Sequence, residues 1–194
     1  MIKTLPTAMV DRTVSGAGLS PGSFGDQLGD GITLVVFLRH FGCMFCREAI
    51  SDLREAAEAN SDFPDVLFLV QASPTEARAF LRRYWPGARA IADPSLEFYE
   101  EFGVRRGGVM EAIGPRVIAS SPRALAKGHR NGTRSGDPWR MPGVFAVRNG
   151  SVIWSYRARH AADHPDFSKI PEWIEAADSL SGAARSNPAQ SLRT

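Results

Sequence analysis

The stretch from Ile32 to Ala49 constrains the fold of this chain more than any other. The run Ile32–Leu38 lacks polar alternation and is too short to span a membrane, so it predicts a strand buried on both faces. The chain then turns at Gly42 and starts a helix with the sequence Cys43-Met-Phe-Cys46. Unpaired N–H groups and the helix dipole favour negative charge at a helix start. A thiolate is such a charge, so the pattern predicts a thiol pKa below the free value of about 8.5.

Composition limits the class of protein. With 194 residues, 43% of them hydrophobic and 23% charged, the chain can form one domain with a substantial core. A net charge of +2 does not indicate a nucleic-acid or membrane binder. The segment Met1 to Asp30 has one lysine and no long apolar core, so we expect neither a signal peptide nor a membrane span, and hence a cytoplasmic protein.

The chain has two cysteines, and their spacing narrows their role. In a reducing compartment, cysteines at this spacing are more often redox-active or metal-binding than structural. With no third cysteine, an intrachain disulfide must join Cys43 and Cys46. Two alternatives stay open, a pair of buried structural thiols and a zinc site that includes His40.

Three charged residues are near the thiols in the sequence. Arg39 and His40 precede the thiols and would lower a thiol pKa if they were close, or would face solvent as a strand-end pair. Arg47 is interpreted as an ordinary surface residue.

Strand and helix patterns alternate after the cysteine pair. The predicted elements are a helix ending near Asn60, a strand at Val66–Val70, a helix capped by Ser73 and Glu76 that stops before Pro86, a strand at Arg89–Ala92, and a helix capped by Asp93 with Pro94 in its first turn that ends at Gly103. This order predicts a parallel sheet with right-handed crossovers.

The second half of the chain has a different pattern. Residues 104–141 hold no clear strand and carry eight basic and two acidic residues, a local charge of +6. A short helix is predicted over Pro122–Lys127, beside a loop rich in glycine, threonine and serine. Asn149-Gly150 lies between two apolar runs and predicts an antiparallel hairpin. The last helix is predicted over Lys169–Leu180, and the first 31 residues read as an arm with one short strand.

This order of elements is similar to that of thioredoxin. More specifically, the sequence resembles the peroxiredoxin-like branch that groups with alkyl hydroperoxide reductase and thiol-specific antioxidant proteins. The stretches that carry the likeness are Phe37–Glu48, Asp93–Gly103, Gly143–Val147 and Arg157–Pro165. The resemblance implies a thioredoxin-like three-layer α/β fold over residues 31–180, with a central mixed sheet, an antiparallel C-terminal hairpin and flanking helices. It leaves an N-terminal arm at 1–30, a basic insertion at 104–141 and a disordered tail at 181–194.

The site differs from the family pattern at several positions. If Cys46 took the peroxidatic place, Cys43 would hold the threonine position, Arg39 the proline position and Pro142 the arginine position. Arg140 or Arg157 would then have to replace the missing arginine by geometry. Met141-Pro142-Gly143 also resembles the cis-proline loop of thioredoxins, in which the backbone of Met141 would face a partner chain; a trans proline is the alternative.

The resemblance implies a thiol–disulfide oxidoreductase or a peroxiredoxin-like reductase. In the cycle that it implies, a thiolate attacks a disulfide or a peroxide, and the other cysteine resolves the product. We expect Cys43, as the more exposed thiol, to attack in disulfide exchange and Cys46 to resolve; the peroxiredoxin register reverses these roles. No cofactor or metal is required, and the expected reductant is thioredoxin or glutathione. The charge of the basic insertion has two interpretations: it binds an anionic partner such as glutathione, an acidic thioredoxin face or nucleic acid, or it is a solvated surface insertion, which is the commoner explanation of such a segment. Alternatives are a non-catalytic binding module and a reductase of a small, lipid-peroxide-type substrate.

Overall fold

The computed structural model describes residues 3–132 and 136–185. The strands are β1 (Lys3–Thr4), β2 (Gly16–Ala17), β3 (Thr33–Phe37), β4 (Asp65–Val70), β5 (Arg89–Ala92), β6 (Gly143–Arg148) and β7 (Ser151–Arg157). The helices are α1 (Thr7–Val10), α2 (Phe24–Leu28), α3 (Met44–Ala59), α4 (Pro74–Tyr84), α5 (Glu97–Glu101), α6 (Val109–Ile113), α7 (Pro115–Ala126) and α8 (Ile170–Arg185), with a 3-10 turn at Phe167–Lys169. In these residues, no helix is both long and apolar enough to cross a bilayer.

The strands form one mixed sheet in the order β1-β7-β6-β3-β4-β5-β2. The three strands β3, β4 and β5 run parallel, whereas β6 pairs antiparallel with β3 and forms a hairpin with β7. This arrangement confirms the predicted α/β fold class. All residues of β3 are buried, as expected for a strand with helices on both faces.

Two cores lie on opposite faces of the sheet. Side chains alternate along a strand, so Leu34 and Val36 join the core beneath α3, and Val35 and Phe37 join the other core. The second core is rich in aromatic rings, which meet at centroid distances of 4.9 to 6.2 Å in the ring pairs of Phe24, Phe37, Phe98, Tyr99, Phe102 and Phe145.

Two predictions from short sequence signals, a helix capping box and a hairpin turn, are confirmed. The Ser73 hydroxyl accepts from the Glu76 N–H, and the Glu76 carboxylate accepts from the Ser73 N–H, which completes the predicted capping box. Asn149 and Gly150 both have positive φ, at 49° and 66°, as a two-residue hairpin turn requires.

Other boundaries differ from the sequence-based expectation. The helix predicted to begin at Pro94 begins at Glu97, and the Asp93 carboxylate accepts from the N–H groups of Glu97 and Phe98 across a turn. Asn60, expected in the left-handed region, is extended with φ of −136°. Residues 3–30 form two short strands, one at each edge of the sheet, and two short helices.

The basic insertion is more helical than predicted. Instead of one helix over Pro122–Lys127, it forms α6 and the longer α7, with Pro122 inside α7. Pro115, at the first position of α7, is a helix-start signal that the sequence-based prediction did not use. Residues 133–135 of the adjoining loop lie outside the described part. The predicted tail at 181–194 is helical as far as Arg185, and its remainder also lies outside.

Candidate active site

The two cysteines lie where β3 leads into α3, at the carboxyl edge of the parallel strands. Cys43 caps α3, and its N–H donates to the His40 carbonyl at 3.1 Å. The buried hydroxyl of Tyr99 donates to the carbonyls of Leu38 at 2.6 Å and Leu69 at 2.8 Å, which joins the ends of β3 and β4. Ligand sites of open α/β sheets lie at this edge.

Both thiols are reduced and buried. Cys43 is 3% exposed and Cys46 is 4% exposed. The expectation that Cys43 is the more exposed thiol is therefore wrong, because the chain folds over both sulfurs. Exposure does not separate their roles.

The N–H groups at the start of α3 act on different groups. The Met44 N–H donates to Asn131 Oδ1 at 3.1 Å, and the Arg47 N–H donates to the Cys43 carbonyl at 3.3 Å. The N–H groups of Phe45 and Cys46 stabilise the Cys43 sulfur. The helix start therefore acts on one thiol, as the sequence predicts.

The two thiols have opposite pKa shifts. A hydrogen bond from Cys46, the Arg39 charge and two backbone N–H groups together overcome burial and lower the pKa of Cys43 to about 6. The same hydrogen bond, burial and the nearby Cys43 charge raise the pKa of Cys46 well above its usual value. At neutral pH, Cys43 is thus a thiolate and Cys46 a thiol.

Arg39 is the guanidinium beside the thiolate. Its Nη1 lies 3.4 Å from Cys43 Sγ, its Nε donates to the Arg140 carbonyl and its Nη2 donates to the Pro138 carbonyl. Arg39 is 5% exposed and His40 is 8% exposed, so the solvent-facing interpretation of this pair is wrong. Gln71, which sequence reasoning missed, donates to the Arg39 carbonyl. Its only sequence signal is its place directly after β4, at the same sheet edge.

The thiols face different spaces. Cys43 lines a cleft of about 410 Å³ together with Arg39, His40 and Gly42, and α6 and α7 provide an apolar wall. Cys46 borders a separate, largely apolar cavity of only about 20 Å³. A void of that size holds about one water molecule, so it has no room for a substrate beside Cys46. A substrate bound in the large cleft would contact Cys43.

The loop at Met141 and Pro142, which was expected to face a partner chain, makes contacts within the protein instead. Pro142 is trans, and Met141 is buried with its N–H donating to the Arg105 carbonyl, so this backbone is not offered to a partner. Arg157 donates to the carbonyls of Phe102 and Gly103 and stacks over the Phe145 ring at 5.0 Å.

Arg140 does not serve the thiols either. It donates to the Val104 carbonyl at 2.9 Å and to Glu100 at 2.9 Å. Neither Arg140 nor Arg157 supplies the guanidinium at Cys43.

The loop of residues 130–132 packs on the turn that precedes α3. The Gly132 N–H donates to the Gly42 carbonyl at 2.9 Å, and Arg47 Nη1 donates to the Arg130 carbonyl at 2.6 Å. Arg47 also donates to the Phe41 carbonyl, so its interpretation as an ordinary surface residue is wrong. Together with the Asn131 side chain, these contacts hold residues 130–132 against the start of α3. Sequence reasoning missed Asn131 because its partner is 87 positions away.

One group of possible metal ligands consists of two carboxylates on α3 and one histidine outside it. Within the described residues, the set whose ligand atoms lie within 4.8 Å of one another is Glu48, Asp52 and His164, and not the zinc-site alternative of His40, Cys43 and Cys46. Arg123 donates to both oxygens of Glu48, at 2.7 and 3.0 Å, and Lys127 donates to Asp52 at 2.7 Å. These cations already neutralise the carboxylates, which makes the group a structural ion-pair network.

Comparison with known proteins decides the family. The family model described as AhpC/TSA antioxidant enzyme matches residues 50–160, which is more than half of the chain. The chain belongs to the AhpC/TSA antioxidant enzyme family. The matched region begins just after the cysteine pair, so it includes most of α3 and all the elements from β4 to β7.

Individual relatives agree with this assignment. A "Peroxiredoxin-like 2C" of Bos taurus is 24% identical over 181 residues, covering 88% of this chain and 79% of that protein. A "Prostamide/prostaglandin F synthase" of Aquarana catesbeiana is 28% identical over 130 residues, covering 62% of each chain. The fold is similar to PrxQ of Xylella fastidiosa, with a TM-score of 0.60 and 11% identity over 94% of this chain and 95% of that one.

Family and fold together define the general activity. This AhpC/TSA protein is a thiol-dependent oxidoreductase with a peroxiredoxin-like, thioredoxin-type fold, as the sequence resemblance implied. The alternative of a non-catalytic binding module is not favoured.

Proposed function

We propose that Cys43 is the attacking thiol and Cys46 the resolving thiol of a reductase that acts on peroxides or disulfides. One observation carries the proposal. Cys43 lines the large cleft and has a pKa of about 6, whereas Cys46 borders only a small cavity and has a pKa well above its usual value. A thiolate is the reactive form, and near neutral pH Cys43 supplies it.

The peroxide reaction balances with these two thiols. The Cys43 thiolate attacks the nearer oxygen of a hydroperoxide; an S–O bond forms, the O–O bond breaks, and the leaving alkoxide takes a proton. Cys46 then attacks the sulfenic sulfur, an S–S bond forms, and water leaves. A disulfide substrate instead forms a mixed disulfide with Cys43, which Cys46 resolves. An external thiol, of thioredoxin or glutathione type, returns two electrons.

The other predicted residues support this chemistry from nearby. Arg39 stabilises the thiolate and lies where the oxygen of a peroxide would be polarised. Gly42 and the backbone of His40 hold the turn that starts α3. Pro142 borders the cavity beside Cys46, and Met141 and Arg157 fix the adjoining loop. A reducing compartment such as the cytoplasm suits a dithiol of this kind.

The cleft supports a second, narrower candidate, an organic peroxide of lipid type. Its volume of about 410 Å³ is within the range of small-molecule sites, and Ala112, Ile113, Val117 and Ile118 make one wall apolar. The name of the Aquarana catesbeiana relative points to substrates of this kind.

Turnover with chosen substrates tests the proposal. Hydrogen peroxide, cumene hydroperoxide and a model disulfide are supplied in turn with dithiothreitol as reductant. We expect Cys43→Ser to abolish turnover. With the disulfide substrate and dithiothreitol left out, we expect Cys46→Ser to accumulate a mixed disulfide through Cys43. Turnover that survives in Cys43→Ser but not in Cys46→Ser would reverse the two roles. A wild-type protein inactive with every substrate would refute the function.

A further inference from the structure

In the part of the chain that the structure describes, the exposed large apolar side chains cluster in one place. Within the described residues, the exposed large hydrophobic side chains all lie on α6 and α7, at 53% to 67% exposure: Val109, Met110, Ile113, Ile118 and Leu125. We call these five residues the α6–α7 patch. Scattered exposed apolar residues are normal, but a concentration beside a reactive cleft indicates an interaction surface.

The patch is attached to the helix that carries the thiols. Val117 and Ala124 are buried on α7 and pack in the core beneath α3. Arg123 on α7 also donates to Glu48 on α3 at 2.7 and 3.0 Å. The α7 side chains of the patch, Ile118 and Leu125, are therefore held in a fixed position relative to Cys43.

The patch is larger than the cleft. Ile113 and Ile118 line the cleft, whereas Val109, Met110 and Leu125 are not among the residues that line it. A small substrate bound beside Cys43 would cover the first two and leave the other three exposed. A protein partner, which contacts a wider surface, would cover all five.

The charge around the patch is positive. The two acidic residues of the insertion are already paired, Glu111 with Arg105 at 2.6 Å and Asp137 with Arg106 at 2.7 Å. Arg116 is exposed on α7 and has no acidic partner among the described residues. A complementary surface would therefore carry carboxylates around an apolar centre.

We propose that the α6–α7 patch docks the protein dithiol that reduces this enzyme, a partner whose reactive thiol lies in an apolar surface rimmed by carboxylates. This inference rests on the proposed function, because turnover leaves a Cys43–Cys46 disulfide that needs two electrons. The docked thiolate attacks Cys43 Sγ, and Cys46 leaves as a thiolate. The partner's second thiolate then attacks the partner sulfur of the mixed disulfide and releases Cys43. The partner ends as a disulfide, and two electrons pass to the enzyme; Cys46 takes one proton from solvent, and Cys43 stays a thiolate near neutral pH.

Substitutions outside the cleft test the docking surface. The double variant Met110→Glu/Leu125→Glu is assayed for hydrogen peroxide turnover, with reduced thioredoxin as the protein dithiol and dithiothreitol as the small one. We expect kcat/KM for thioredoxin to fall about tenfold or more, because apolar contacts become charge repulsion, while the rate with dithiothreitol is unchanged. The uncharged double variant Met110→Gln/Leu125→Gln should lose less.

A charge reversal tests the rim. Arg116→Glu should lower the rate with thioredoxin at low salt and should converge on the wild type as salt rises, since exposed charges are screened. The matched control is Arg82→Glu, an exposed arginine on α4, which should leave the rate unchanged.

Several outcomes would overturn the inference. Equal losses with both reductants, an unchanged rate with thioredoxin, or no thioredoxin-dependent turnover in a wild type that works with dithiothreitol would each refute docking and leave the proposed function intact. A co-sedimentation assay with anionic phospholipid vesicles tests a membrane as the occupant of the patch. If the wild type sediments with the vesicles and the double glutamate variant does not, while thioredoxin kinetics are the same for both, the patch binds a membrane surface and the docking inference is refuted. A wild type inactive even with dithiothreitol refutes the function, and the docking with it.

Discussion

At the scale of single residues, the site depends on an unequal pair of thiols. Local sequence predicted that one thiol lies at a helix start, because the strand–glycine–cysteine order is visible in the chain. It could not predict that both thiols are buried, nor that Arg39 rather than Arg140 or Arg157 reaches the sulfur. Gln71 and Asn131 are brought in from 32 and 87 positions away. Such contacts depend on the tertiary fold and leave no local pattern.

The Arg39 charge gives a prediction at this scale. Arg39→Gln removes the cation 3.4 Å from Cys43 Sγ, so the thiolate is less stable and the pKa of Cys43 rises from about 6. We expect a rise of about one unit, measured as the pH dependence of Cys43 alkylation by uncharged iodoacetamide. Arg47→Gln is the control, since Arg47 donates to the Phe41 carbonyl of the same turn and to the Arg130 carbonyl of the loop that packs on it. Equal shifts in both variants would show that turn geometry, not the Arg39 charge, sets the pKa.

At the scale of elements, α3 is joined to α7 by a buried carboxylate. Glu48 has no exposed surface; burial opposes its ionisation, but the hydrogen bonds and charge of Arg123 keep its pKa below the usual value.

The capping box and the hairpin were predictable because short fixed-spacing signals determine them. The extent of α7 was not, because Pro122 reads as a helix start or a break, and only packing against α3 shows that it lies inside the helix.

The Glu48 pair gives the prediction for elements. Arg123→Gln leaves a buried carboxylate with weaker partners, so we expect the free energy of unfolding to fall by about 1–3 kcal/mol. Arg54→Gln is the matched control, because Arg54 pairs with Glu58 at 2.6 Å on the exposed side of α3; its removal should cost about 0.5 kcal/mol or less. Urea denaturation at neutral pH measures both. Equal costs would mean that the buried pair contributes no more than the exposed one.

At the scale of the whole molecule, the order of strands and helices was predictable and the sheet edges were not. Alternating buried strands and amphipathic helices determine β3 to β5, and the hairpin adds β6 and β7. The edge strands β1 and β2 have two residues each, too few for propensity or periodicity to identify. They form only because the rest of the sheet offers unpaired edges, so residues near the N-terminus pack on the domain as part of the sheet.

One measurement tests the central claim, that the fold makes Cys43 the nucleophile and Cys46 its hydrogen-bond donor. The reduced wild-type protein is labelled with iodoacetamide over a range of pH, and the label on each cysteine is quantified by peptide mass spectrometry. We predict that Cys43 labelling rises with a midpoint near the pKa of about 6, while Cys46 stays unlabelled through neutral pH. If Cys46 is labelled first, or if both thiols titrate near the free value of about 8.5, the claim is wrong.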